Sequence, residues 1–497
     1  MVSKVVGLNH QDAVPSEKAV QRLTAFEATL KASASSEGVP GISGAALVEG
    51  QWQVTYYGID DQRTGRPRDE SSRQHGTCLN KVLIAYVALM LVDRKLVSLD
   101  EPLNELLPDA VRRRDGNDVE ITLRQVLSHS SGIDESFEEW APADAVDNAS
   151  HSRRFERYPQ IAEPGEIFAY SDAGTAIAAL LIERLLGKPW RQSVNAMLLE
   201  PLGIKALPET TDFVAYYGGT VAVGHSWDDA SEGLQPVTPD TSPAMADTLA
   251  ERSTCFTITE LAALGEFALA DGITRQGERL ISAELAREMR TKQVDVPGHH
   301  LIHSWGLGWM FFDETSFGFE AAGEGHENFV QIFPDQGVVL VMMANAYPAQ
   351  VVYYDALRAL QDSSWEDRPA QPIDPNACVG TYLSDGYKLV VTRGAKHLRY
   401  SLSRRVSTEI RGVMSPDEGV SDLEVSSTFR RHDAEIISNQ EWQHSETGSL
   451  VPSPTGGFAA RIGNKMRRGS SITPIWSGSA PEPKFFRFGQ KVVRKIE

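Results

Sequence analysis

Residues 77–94 read Thr77-Cys78-Leu79-Asn80-Lys81-Val82-Leu83-Ile84-Ala85-Tyr86-Val87-Ala88-Leu89-Met90-Leu91-Val92-Asp93-Arg94. Nothing from Val82 to Val92 is charged, and the apolar side chains fall on every side of a helical projection. That pattern belongs to a helix buried inside a large domain, since a surface helix would keep one polar face. The run is too short to cross a bilayer. Cys78 and Lys81 stand three apart where a polar loop meets this helix, so their side chains share a face at its N-terminus. The helix dipole and a neighbouring ammonium both lower a thiol pKa, which favours a thiolate nucleophile there. A small buried cysteine beside a surface lysine fits the same residues.

Upstream, Val20, Leu23, Phe26 and Leu30 recur at intervals of three and four and predict a helix over 15–36, with Ser16 as N-cap. Gly38-Val39-Pro40-Gly41 ends it. Ser43–Val48 and Trp52–Tyr57 predict two strands joined at Glu49-Gly50-Gln51 as a hairpin. Downstream, helices are expected over Thr122–Ser128, Gly174–Leu186 and Ile258 to about Asp271, the last opened by a capping-box spacing of Thr257 and Glu260. Trp305–Met310, Asn328–Phe333 and Val338–Met343 predict strands, with the turn Pro334-Asp335-Gln336-Gly337 between the last two. A helix from about Val351 to Gln361 follows. Strands at both ends and helices in the middle imply one sheet assembled from distant segments.

Ser363–Pro375, with three prolines, reads as a linker. Beyond it, Gly380–Val391, His397–Leu402 and later short runs predict an all-β, barrel-like module. The expected division is 1–365, a linker at 366–375, and 376–497. Charge divides the same way. The chain of 497 residues holds 48 Lys and Arg against 67 Asp and Glu; residues 371–497 carry 18 and 13 of these, leaving 30 and 54 for residues 1–370. The acidic larger part argues against binding a phosphate backbone, so nucleic acid is not an expected partner. Cys78, Cys255 and Cys378 are far apart and lack metal-type spacing, so neither a disulfide framework nor a metal site is expected. With no apolar leader-type run at the N-terminus, a soluble, cytoplasmic protein is expected.

Several stretches resemble the superfamily of serine β-lactamases, penicillin-binding proteins and related esterases, whose first motif is S-x-x-K at the start of a buried helix. They are Val39-Pro40-Gly41, Cys78-Leu79-Asn80-Lys81, Lys95 to Leu103, Ile121 to Gly132, Pro164-Gly165 with Tyr170-Ser171-Asp172, Glu200 to Gly203, and Gly306-Leu307-Gly308-Trp309. The resemblance implies an α+β, β-lactamase-like fold with an antiparallel sheet flanked by helices. It also implies acyl transfer through a covalent intermediate, with Cys78 as nucleophile, Lys81 as the group that takes its proton and Tyr170 as partner acid/base. No cofactor is implied.

Three departures set this chain apart. Cys78 stands where the family has serine, which suits esters and thioesters better than amides, because a tetrahedral adduct expels thiolate more readily than amine. Asp172 replaces the Asn of the family's Y-x-N motif, and a carboxylate there would favour a protonated Lys81. The final K-T-G or H-x-G motif is not recognisable: Gly318–Gly325 occupies its place without a Lys or His. Asp172, Gly323, Glu324 and His326 are therefore the expected secondary, substrate-binding residues, His326 in a Gly-rich loop as a stand-in for the missing Lys or His and Glu324 as a contact for a cationic group. Backbone donors near Ala321–Gly323 and at Cys78 could form an oxyanion hole. The expected function is an amide, ester or thioester hydrolase or transacylase acting on a small molecule or peptide. A catalytically silent binding protein, or a Ser-to-Cys variant of a serine hydrolase, would account for the same residues, and the oligomeric state is not readable.

Overall fold

The computed structural model describes residues 15–108, 119–133, 160–208, 213–228, 233–237, 254–296, 302–346, 349–361, 375–383, 387–394, 398–405, 442–452, 458–462, 465–475, 483, 485–488 and 491–495. The expected linker at 366–375 lies almost wholly outside them. Contacts group the chain into two units, one of residues 1–101, 178–293 and 304–366, the other of residues 102–177, 294–303 and 367–497.

The first unit is built on an antiparallel sheet. Its central strands are β1 (Gly41–Val48), β2 (Gln51–Asp61), β3 (Phe317–Gly323), β4 (His326–Phe333) and β5 (Val338–Ala344), in the order β2-β1-β5-β4-β3. The N- and C-terminal parts of this unit meet where Ile42 opposes Ala344 and Leu47 opposes Val339. Two hairpins close with the same pair of residue types. Glu49-Gly50 (φ 49° and 77°) joins β1 to β2, and Glu324-Gly325 (φ 50° and 74°) joins β3 to β4. Successive positive φ angles make a type I′ turn, whose twist suits a two-residue hairpin. Gln51 therefore belongs to the strand and not to the turn, and His326 starts β4 instead of lying in a Gly-rich loop.

Helices cover both faces. On one, α1 (Glu17–Ser36) and α4 (Gln350–Leu360) lie together, tied by Arg22 Nε to the Leu360 carbonyl at 2.6 Å and Ser33 Oγ to Asp355 at 2.7 Å. Ser16 caps α1 by accepting from Ala19 N. Leu23, Phe26 and Leu30 are buried as their spacing predicts, whereas Val20 is exposed and Ala19 takes the core position. On the other face, α3 (Ile258–Leu269) opens with the Thr257–Glu260 capping box. A methyl group on its Gly265 would stand 2.8 Å from Val339 Cγ1 of β5.

Helix α2 (Asn80–Asp93) is buried at every residue from Asn80 to Leu91. Burying one such aliphatic side chain contributes about 1.5–3 kcal/mol, so this helix is a main source of the unit's stability. Tyr86 packs on Phe267 and Trp309. The expected strand Trp305–Met310 is instead two short strands, Ser304–Trp305 and Met310–Phe311, with a tight bend between. Gly308 (φ 91°) makes that bend, and a methyl group there would fall 2.6 Å from Ala85 Cβ of α2. The bend lets the chain pass close to the helix, which a continuous strand could not do.

In the second unit, Leu123–Leu127 is a short helix with Thr122 and Gln125 forming a capping box. The helix Asp172–Leu186 begins there. Its C-terminal strands pair antiparallel in succession from Gly380–Leu383 to Lys491–Lys495, and Tyr382 and Leu383 pair back with Lys495 and Arg494. Phe485 is fully buried in a cluster with Ile161, Ala162, Ile167 and Ala169. Among the described residues no helix is long and apolar enough to cross a membrane.

Candidate active site

The loop that delivers Cys78 is fixed from below by buried polar groups. Arg68, without side-chain exposure, bonds Ser43 Oγ (2.6 Å), Asp60 (3.3 Å), Gln74 Oε1 (2.8 Å) and the Met343 carbonyl (3.1 Å). Gln74 Nε2 passes the connection to Asn328 Oδ1 at 2.7 Å, and Asn328 Nδ2 donates to the His75 carbonyl at 3.0 Å. A network this fully bonded leaves the segment ahead of the cysteine few alternatives. Burial raises the Asp60 carboxyl pKa despite the opposing pull of Arg68.

Gln74–His75 also pairs as a short strand with Cys255–Phe256. The chain then turns sharply. Gly76 lies so close to Phe256 that a methyl group would stand 2.7 Å from its ring. Thr77 follows at φ 50°, a left-handed conformation that is a true outlier for a β-branched residue and costs about 1–3 kcal/mol. Thr77-Cys78-Leu79 is a 3₁₀ turn running directly into α2. Cys78 thus lies in the turn before the α-helix, and 3₁₀ geometry still aligns residues three apart. Cys78 is partly exposed, while Lys81 is only 3% exposed.

Strand β3 ends against this turn. A methyl group on Gly323 would stand 3.3 Å from Thr77 Cγ2, so only a glycine lets strand and turn approach without adjustment. On its far side β3 pairs with Met310–Phe311 through Phe317 and Gly318, and Ala321–Gly323 lie beyond that pairing. Glu324 sits at the hairpin tip with its carboxylate 3.8 Å from His75 Nδ1. His326 is 2% exposed, and burial, reinforced by His75, Arg68 and His225, holds its pKa well below the usual histidine range. It is a neutral core side chain, a poor replacement for the family's cationic residue.

The second unit holds Tyr170 and Asp172, both buried. Tyr170 stacks on His129, with ring centroids 4.5 Å apart. His129 Nδ1 accepts the Ser171 N–H at 3.1 Å, and the His129 carbonyl accepts the Ala169 N–H at 2.7 Å. Ser171 Oγ in turn accepts from Gly174 N, capping the helix that begins at Asp172. His129, just past the Leu123–Leu127 helix, therefore holds the Ala169–Ser171 backbone and stacks on the Tyr170 ring.

The other cysteines occupy different surroundings. Cys255 is buried and its thiol pKa is pushed far up by desolvation, and Cys378 is buried without exposure. Among the described residues no three His, Cys, Asp or Glu side chains are grouped to hold a metal ion. Sequence reading missed Asn80 and Thr254, which contact each other beside the Cys78 turn. Asn80 looks like one more helical position between Cys78 and Lys81, and nothing local marks Thr254.

The sequence profile of the family described as Beta-lactamase matches residues 21–363. The chain belongs to the beta-lactamase family. It is 25% identical over 383 residues to penicillin-binding protein 4 of Amycolatopsis lactamdurans, covering 70% of this chain and 94% of that protein. Among solved structures, SurE superposes with a TM-score of 0.68 at 22% identity, covering 96% of this chain and 99% of that one. The D-amino acid amidase of Ochrobactrum anthropi SV3, solved with D-phenylalanine, gives 0.57 at 21% identity over 69% of this chain and 99% of that one. These likenesses show the beta-lactamase-like α+β fold.

Proposed function

We propose that this beta-lactamase-family protein is an acyl-transfer enzyme with Cys78 as its covalent nucleophile. The observation that carries the proposal is the strained Thr77 turn. It feeds a partly exposed cysteine directly into α2, one 3₁₀ turn before the buried Lys81, with the end of β3 packed against Thr77. Strain kept in a well-anchored turn is a mark of a functional position.

In the proposed cycle Lys81 or Tyr170 takes the Cys78 proton and the thiolate adds to the acyl carbonyl. Backbone N–H groups of Cys78 and of the Ala321–Gly323 segment hold the developing oxyanion. The C–S bond forms, the bond to the leaving group breaks, and the same acid/base returns a proton to the departing oxygen, nitrogen or sulfur. Water, an alcohol or an amine then adds to the thioester, and collapse releases the Cys78 thiolate. Of the two, Tyr170 is proposed as the mobile acid/base. Because thiolate leaves more readily than amine, an ester or thioester donor is proposed ahead of an amide.

The substrate is proposed to be a small acyl compound or peptide. Strand β3 carries no Lys or His, and Glu324 at its hairpin is proposed to contact a cationic group of the substrate. Two structural neighbours, SurE and the amidase, were solved with D-leucine and D-phenylalanine. That makes D-aminoacyl esters the first donors to try. We further assign residues 1–365 to a catalytic domain and residues 376–497 to a β-barrel domain joined by the 366–375 linker.

Thiol alkylation tests the nucleophile. Rapid, pH-dependent labelling of Cys78, faster than at Cys255 or Cys378, is expected; labelling as slow as at the buried cysteines would contradict it.

A further inference from the structure

Thr254 meets the Cys78 turn twice. Its carbonyl accepts the Gly76 N–H at 2.7 Å, and its hydroxyl donates to Asn80 Oδ1. Gly76 precedes the cysteine by two residues and Asn80 follows it by two, so a single residue from a distant segment holds both sides of the turn. The backbone bond extends the ladder in which His75 opposes Cys255. The hydroxyl bond lies outside any ladder and reaches a fully buried amide. Asn80 Nδ2 has no hydrogen-bond partner among the described residues, so Thr254 secures the only bonded end of that side chain.

We propose that Thr254 is a positioning residue for the nucleophile, stapling the Gly76–Asn80 segment so that the left-handed Thr77 and the 3₁₀ turn at Cys78 are maintained. The inference rests on Cys78 being the nucleophile. Left alone, a φ of 50° at a β-branched residue relaxes toward ordinary backbone angles and takes Cys78 away from the start of α2. The staple opposes this from both sides. A valine at 254 keeps the shape and the carbonyl bond but loses the hydroxyl, leaving the buried Asn80 amide without its partner.

The test uses the full-length chain, with iodoacetamide labelling of each cysteine followed by peptide mass spectrometry across pH. Thr254→Val is expected to label at Cys78 about tenfold more slowly, with the midpoint of its pH profile moved upward, because misplacement by a fraction of an ångström already lowers reactivity. Thr254→Ser is expected to match the unaltered protein. Asn80→Ala is expected to behave like Thr254→Val, and the double variant to be no slower than the slower single variant, as residues acting through one bond are non-additive. Cys255, buried beside Thr254, is expected to stay protected throughout. Unchanged labelling of Thr254→Val, failure of Thr254→Ser to restore the rate, or exposure of Cys255 to labelling in Thr254→Val would overturn the inference. Slow Cys78 labelling in the unaltered protein is a separate result, and it would remove the nucleophile itself.

Discussion

The imidazole of His129 lies stacked on the Tyr170 ring, 28° from parallel, while its Nδ1 accepts the backbone N–H of the next residue, Ser171. Accepting at Nδ1 places the ring proton on Nε2. His129 itself adopts φ 55°, a conformation that asparagine tolerates and alanine resists. His129→Ala is therefore expected to lower kcat for an activated ester by tenfold or more through misorientation of Tyr170, the proposed acid/base, an order of magnitude typical of a displaced reacting group. His129→Asn, whose Oδ1 offers an acceptor near the same place, is expected to recover part of that loss. Equal kcat in all three proteins would show that the stack does not serve Tyr170.

A second expectation concerns pH. Glu327 on β4 accepts the Ala349 N–H at 2.5 Å where α4 begins, and burial raises its pKa to about 8; Glu320 on β3 is raised by burial to about 7. A carboxyl group whose pKa is higher folded than unfolded binds more protons in the folded state. Stability then falls as pH rises from the unfolded value, about 4.3, through the folded one. Glu327→Gln keeps an acceptor for Ala349 and removes the titration. Its melting temperature relative to the unaltered protein is expected to rise between pH 5 and pH 8 and to level off above that. A constant difference across the range would contradict this.

Gly308 offers a packing test. Its positive φ and the 2.6 Å separation its methyl group would have from Ala85 Cβ make Gly308→Ala costly in two ways. A loss of about 1–3 kcal/mol in unfolding free energy is expected. Adding Ala85→Gly is expected to recover the steric part and leave the backbone part. Denaturant melts of the single and double variants check this, and a double variant no better than Gly308→Ala would place the strain elsewhere.

The C-terminal strands make a further prediction through Phe485, which is fully buried among Ile161, Ala162, Ile167 and Ala169, close in sequence to Tyr170. Phe485→Ala is expected to cost about 3–5 kcal/mol if the cluster cannot collapse. Hydrogen exchange should then quicken in residues 160–170. Protection unchanged there would contradict the packing role.

Much of this arrangement can be read from residue spacing, because spacing reports burial. The all-apolar run of α2, the Thr257–Glu260 box and the short, continuously buried runs of β1 and β5 each express a local rule. The two Glu-Gly hairpins show where such reading fails. Glu49-Gly50 and Glu324-Gly325 carry the same turn chemistry, yet the second directly follows Gly323 and reads as an irregular loop, which misplaced His326. Trp305–Met310 has strand-like composition, but its bend comes from the approach of Ala85, more than 200 residues away in sequence. Thr254 and Asn80 were invisible for a similar reason. Their bond depends on two distant segments meeting, and no periodicity records that.

Intact-mass analysis of the full-length protein after brief mixing with an activated D-aminoacyl ester tests the central claim most directly. The account predicts a mass gain of one acyl group, mapped to Cys78, lost on incubation with an amine, and absent from Cys78→Ala. An unacylated protein, or an acyl group mapped to any other residue, would contradict it.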